Sequence, residues 1–143
     1  MLTMSMYVTV NVQFKDVPAL QAALLDLCPQ WKDHLRWRDT PEHLHGYHGD
    51  ERQEVANLII PRSAIGSASN DLGFIRDENG QITAIISEYD QRSGGYGQPW
   101  IVSLKKYYAF RLVERQQKAR GRTVRMARCA ASGRDQLIVE GIR

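Results

Sequence analysis

Three histidines, His43, His45 and His48, stand beside Glu42 and Asp50 and form the densest set of metal-ligating residue types in the chain. On a strand, His43 and His45 share one face with Cα atoms about 7 Å apart, and His48 faces the other way unless Gly46 turns the chain. Structural zinc usually recruits paired cysteines, and a catalytic zinc needs a third convergent ligand. The expected reading is therefore a set of solvent-exposed loop histidines, with a metal-binding protein or enzyme built on His43, His45 and His48 as the alternative. No cofactor is assigned.

Two other groups have residue types that do chemistry. Glu88 and Asp90 are two apart and share a face on a strand, as paired acid–base carboxylates would. Tyr89 between them and the glycines beyond suggest a simple strand exit instead. Gly94-Gly95-Tyr96-Gly97 precedes a helical segment but lacks the Lys-Ser/Thr pair of a P-loop and the spacing of a dinucleotide site. It reads as a flexible approach to that helix. Nucleophile-elbow, zincin and kinase motifs do not occur in the sequence.

The strongest non-catalytic signal is basic. Arg111, Arg115 and Lys118 fall on one helical stripe, and Arg120, Arg122, Arg125 and Arg128 carry the charge onward. Such a stripe suits phosphates or an acidic protein face, with Tyr107 or Trp100 available for stacking. Glu114 partly offsets it, so a solvated helix face is the plain alternative. Tyr47, Trp37 and Trp100 are the aromatic side chains suited to anchor a partner. Trp31 fits a core position equally well.

The elements that must position these groups can be read from periodicity. The alternation of Met6, Val8, Val10, Val12 and Phe14 with polar residues predicts a half-buried strand. Asp16 offers an N-cap, and Val17, Leu20, Leu24 and Leu27 follow at helical spacing until Pro29. A weaker stretch follows, with an irregular segment or short strand at Leu35 to Arg38 and a turn at Asp39-Thr40-Pro41. Val55 to Ile60 reads as one buried strand stopped by Pro61, and Ser63 to Asn70 as a polar surface loop. Leu72 to Arg76 and Gln81 to Tyr89 flank Asp77-Glu78-Asn79-Gly80, a hairpin signal. A long helix is expected from about Trp100 to Arg120, with Ile101, Leu104, Tyr108 and Leu112 inward and Gly121 at its end. Strands at Thr123 to Cys129 and Gln136 to Ile142, joined through Ala131 to Asp135, close the chain. The expected architecture is a single α+β domain, residues 1–143, with a mainly antiparallel sheet and two helices packed on one face.

Composition bounds the setting. The 143 residues are 43% hydrophobic and 24% charged, ordinary for a globular protein. The net charge of +3 and isoelectric point near 9.0 permit an anionic partner without requiring one. No apolar run approaches the ~20 residues of a membrane span, and the start lacks a secretory signal pattern. A cytoplasmic protein with no membrane partner is expected, its two cysteines, Cys28 and Cys129, reduced and half-buried.

Three strings carry a resemblance: Gly46-Tyr47-His48-Gly49 before an apolar strand, Asp71-Leu72-Gly73-Phe74 opening a hairpin, and Tyr108-Ala109-Phe110-Arg111-Leu112-Val113 in the long helix. With Lys15-Asp16 and the closing Leu137-Ile138-Val139, they resemble the hypothetical chloroplast open reading frame thirty-five family, a plastid, cyanobacterial and bacterial domain of unknown function. The chain departs from the family pattern where Arg111 replaces a histidine, Phe110 a tyrosine, and His48 an arginine. The loss of that histidine argues against an enzyme mechanism resting on it. The resemblance implies, by gene association, a protein partner such as an AAA-type ATPase assembly. The expected function is a non-enzymatic adaptor docking on a larger protein assembly, with a nucleic-acid-binding module on the basic helix and following strand as the second reading.

Overall fold

The computed structural model describes residues 6–66, 68–128 and 135–141. The predicted turn after the penultimate strand, and Cys129 with it, lie outside the described residues. The first strand, β1 (Tyr7–Phe14), leads through Lys15 into α1 (Val17–Leu27), where the Asp16 side chain accepts from the Ala19 N–H as the sequence predicts. A 3₁₀ turn over Pro29–His34 follows and buries Trp31 completely. The hairpin of β5 (Leu72–Arg76) and β6 (Ile82–Ser87) forms as expected, closed by Gly80 at φ +80° with the Asp77 carboxylate accepting from the Asn79 and Gln81 N–H groups. The long helix, α4 (Gln98–Lys118), ends before Gly121, which sits at φ +73°.

The apolar run from Val55 to Ile60 is not one strand. It divides at Asn57 into β3 (Glu51–Ala56) and β4 (Leu58–Ile60). Asn57 is buried and polar, so its groups must be bonded. Its side chain donates to the Arg38 carbonyl and accepts from the Arg76 N–H, and its own N–H goes to Phe74. β4 joins the main sheet, of order β1-β6-β5-β4 and antiparallel throughout. β3 pairs instead with β2 (Glu42–His45), a strand the weak pattern before it did not reveal. A third sheet, β7 (Arg122–Arg128) with β8 (Asp135–Gly141), packs on α4. In place of the single expected sheet there are three among the described residues.

Strand alternation divides the core. Phe14, Leu58, Ile60, Leu72, Phe74, Ile82, Ala84 and Ile86 face α1 and α4, which cover one face of the main sheet as expected. Leu44, Ala56 and Ile85 pack on the other face, under the β2–β3 ribbon. Gly73 permits that approach, since a Cβ there would lie 2.7 Å from the Ala56 Cβ.

Two further expectations change. Ser63 to Asn70 is no plain surface loop: α2 (Arg62–Ile65) begins it, and Ser69 and Asn70 are buried. Glu88 and Asp90 do not leave a strand but lie in α3 (Glu88–Arg92), capped by the Ser87 hydroxyl. The glycine loop that follows is pinned by Tyr96, stacked 5.7 Å from Trp31 and edge-on to Trp100 at 5.1 Å.

The α1–α4 seam depends on Tyr108, whose hydroxyl oxygen accepts from the Lys15 and Asp16 N–H groups at 3.0 and 2.9 Å. Tyr108→Phe leaves both donors without this partner, and the expected loss is about 1–3 kcal/mol of stability. Urea denaturation checks it, with the less buried neighbour Tyr107→Phe as a control expected within about 0.5 kcal/mol.

Candidate functional site

The motifs singled out in the sequence meet in pairs. Asp71, almost fully buried, gives one carboxylate oxygen to the His45 N–H at 2.8 Å and the other to the Arg62 N–H at 2.8 Å. Its own N–H goes to the His45 carbonyl, and its carbonyl accepts from the Tyr7 hydroxyl at 2.7 Å. Next to it, Asn70 accepts from the Tyr47 N–H through Oδ1, and the Arg62 guanidinium donates to the Tyr47 carbonyl at 2.7 Å. The Gly46–Gly49 turn is thereby fastened to the start of the hairpin and to α2. Its backbone is held from both sides, while the Tyr47 side chain stays 46% exposed with the His48 ring beside it at 4.7 Å.

A cleft of about 600 Å3 opens beside this anchor, lined by His45, Gly49, Pro61, Arg62, Ser63, Gly66 and Asp71. A second, of about 410 Å3, shares His45, Pro61 and Asp71 with it. His45 stands between them, half exposed, with Nδ1 3.5 Å from the Asp71 carboxylate.

His43 and His45 do share the exposed face of β2, with Leu44 buried between them. They do not converge on a common point. His43 bonds the Arg52 carbonyl through Nδ1 and approaches Glu51, His45 approaches Asp71, and the turn carries His48 toward Tyr47. No group of three or more His, Cys, Asp or Glu side chains is placed to hold a metal among the described residues.

The start of the basic stripe is a seam between helices. Arg111 makes a bidentate pair with Asp26 of α1, at 2.7 and 2.6 Å, and a third bond to Glu114. These carboxylates hold the guanidinium charged beyond its ordinary range, Asp26 foremost, and such a pair is not readily surrendered to a phosphate. Arg115 reaches Asp16 at 3.4 Å and Arg125 reaches Glu140 at 3.0 Å, but both are more than half exposed. Pairs of that kind contribute only about 0–1 kcal/mol, so these two remain available to a ligand. Lys118 and Arg122 are exposed at the end of α4, Arg122 bonded to Gln117.

Of the aromatic candidates, Tyr47 alone presents an open ring. Trp37 is half-buried against the core, with the Arg76 guanidinium 4.9 Å above it, and Trp100 is half-buried against Trp31 and Tyr96. Both pack against the core while partly buried, so each presents less of its ring than Tyr47 does. Sequence reasoning passed over Arg62 and Asn70, whose roles arise only from contacts distant along the chain. Asp71 did carry a signal, as the acid opening the hairpin string.

A second buried carboxylate lies deeper. Asp90 accepts from the Ser87 hydroxyl at 2.8 Å and from the Asn70 N–H, while Ser87 in turn accepts from the Asn70 side chain. Asn70 thus links the Tyr47 turn to α3.

A family model described as a protein of unknown function (DUF1257) matches residues 23–138. Neither a curated protein nor a solved structure matches the chain.

Burial, reinforced by the Asp71 charge, pushes the Tyr7 phenol well above its ordinary value of 10.0. A raised folded-state value means that the neutral phenol is favoured in the fold. Its contribution is complete below the unfolded value and is lost as pH rises above about 10 toward the folded value. Tyr7→Phe should flatten part of the alkaline decline in stability, measured by urea denaturation from pH 8 upward. An unchanged slope would contradict this linkage.

Proposed function

We propose that this chain, which belongs to the DUF1257 family of proteins of unknown function, is a non-enzymatic partner-binding protein, an adaptor docking on a larger protein assembly through the Tyr47 turn. The observation that carries this reading is an open tyrosine ring on a backbone held at both faces by Asn70 and Arg62. A large amphipathic side chain on a fixed backbone loses little entropy on docking, which is why tyrosine dominates many interface hot spots. A cytoplasmic setting belongs to the same proposal. No helix among the described residues is long and apolar enough to cross a membrane. So does the narrower kinship with hypothetical chloroplast open reading frame thirty-five, with its gene-level association with an AAA-type ATPase.

A second reading, nucleic-acid binding, has support from one place. Lys118, Arg120 and Arg122 are all exposed at the end of α4, and no carboxylate pairs with them among the described residues. Arg111 adds little to it, because Asp26 and Glu114 already hold it.

The test is affinity isolation of the tagged full chain from its native host, with and without nuclease, using wild type, Tyr47→Ala and the pair Lys118→Glu with Arg122→Glu. The expected outcome is a discrete protein partner that survives nuclease and falls roughly tenfold or more with Tyr47→Ala. Thermal denaturation should show that variant folded, since the lost ring is exposed. A partner indifferent to Tyr47 would overturn this interface. Recovery abolished by nuclease, by the charge reversals and by added salt would move the function to nucleic acid.

A further inference from the structure

We propose that the cleft beside Tyr47 is a carboxylate-binding site, with Arg62 as its cation, and that it receives an aspartate or glutamate side chain of the protein partner. The inference rests on the partner-binding reading and names the chemistry of what is bound. Its size, about 600 Å3, is within the roughly 300–1,000 Å3 usual for binding clefts.

Charge selects the occupant. Arg38, Arg52, Arg111, Arg115 and Arg125 each lie within ion-pair distance of a carboxylate. The Arg62 guanidinium has no such partner among the described residues. Nη1 donates to the Tyr47 carbonyl, which fixes the plane of the group at the cleft wall and leaves other N–H donors for a ligand. An arginine positioned in this way suits a planar carboxylate, which it can meet with two parallel hydrogen bonds.

The one acidic side chain lining the cleft does not compete for that role. Both Asp71 oxygens already accept backbone N–H groups, and its side chain is only 7% exposed. Asp71 shapes the wall from within and leaves the open side to Arg62, to the half-exposed His45 and to the exposed Ser63. Gly49 keeps the approach clear. Its φ of +77° disfavours any side chain, and a Cβ there would lie 3.6 Å from Arg62 Nη2. The Gly46–Gly49 turn thus presents an aromatic ring, and α2 bonds an arginine to the carbonyl of the same residue, the two side-chain types that most often anchor protein interfaces.

The probe is sodium acetate, titrated into the ¹⁵N-labelled full chain at constant ionic strength with chloride as the balancing anion. The Arg62 Nε–H and the Gly49 and Ser63 amides report on the cleft. The expected result is saturable shifts at these groups, with the apparent Kd raised about tenfold or more in Arg62→Gln, partly restored in Arg62→Lys, and unchanged in Lys118→Glu. Arg62→Lys keeps a donor for the Tyr47 carbonyl, so it also controls for a turn that has merely loosened. Absent shifts, or shifts of equal size in Arg62→Gln, would overturn the proposal. Saturation by inorganic phosphate but not by acetate would overturn it in favour of a phosphate ligand. A partner that needs Tyr47 but tolerates Arg62→Gln leaves the adaptor reading standing and removes this one. Acetate binding at Arg62 without any captured partner keeps the carboxylate site but overturns a protein partner as the source of its ligand.

Discussion

Two backbone N–H groups from segments far apart in the chain, those of His45 and Arg62, end on the carboxylate of Asp71. One belongs to the β2–β3 ribbon and the other to the first turn of α2, while Asp71 itself leads into the central hairpin. Removing both donors from water without a partner would cost several kcal/mol, so the carboxylate is what allows the three pieces to close against one another. The arrangement also fixes the cleft. Asp71 accepts the Arg62 N–H at the start of α2, and the Arg62 guanidinium donates to the Tyr47 carbonyl.

The same pattern recurs at the seam between α1 and α4. Tyr108 accepts the N–H groups that lead into α1, and Arg111, one turn on, grips Asp26 in the last turn of that helix. Arg115 continues the line to Asp16. The first cations of a stripe that looks, in isolation, like a surface for phosphates thus fasten one helix to another, whereas Lys118, Arg120 and Arg122 stay exposed beyond them. The exposure of each pair decides how firmly. Arg111 is partly buried and bidentate, whereas Arg115 and Arg125 sit in water, where an ion pair contributes little.

These fastenings give the strings singled out in the sequence a physical meaning. Lys15-Asp16 and Tyr108 are two halves of one contact. Gly46–Gly49 and Asp71–Phe74 are two halves of another, joined by Asn70 and permitted by the missing side chain at Gly73. Most of these strings therefore hold the fold together. Tyr47 and Arg62 differ, because each has a fixed backbone or anchor point and still turns a functional group outward.

The α+β class, the first strand and its capped helix, the central hairpin and the long closing helix were all legible in the sequence, because each rests on local periodicity, a cap or a turn residue. Asp16 caps a helix within three residues of itself, and Gly80 turns a chain between its immediate neighbours. The division of Val55 to Ile60 at Asn57 was not legible, since it depends on Arg38 and Arg76 supplying the bonds that a ladder would otherwise make. Nor was the packing of Trp37 and Trp100 against the core, or the pairing of Arg111 with a residue 85 positions away. Local sequence fixes which elements form, through interactions a few residues long. Only tertiary structure decides which charges are already satisfied and which side chains remain open, because burial and ion pairing are properties of what the rest of the chain brings alongside.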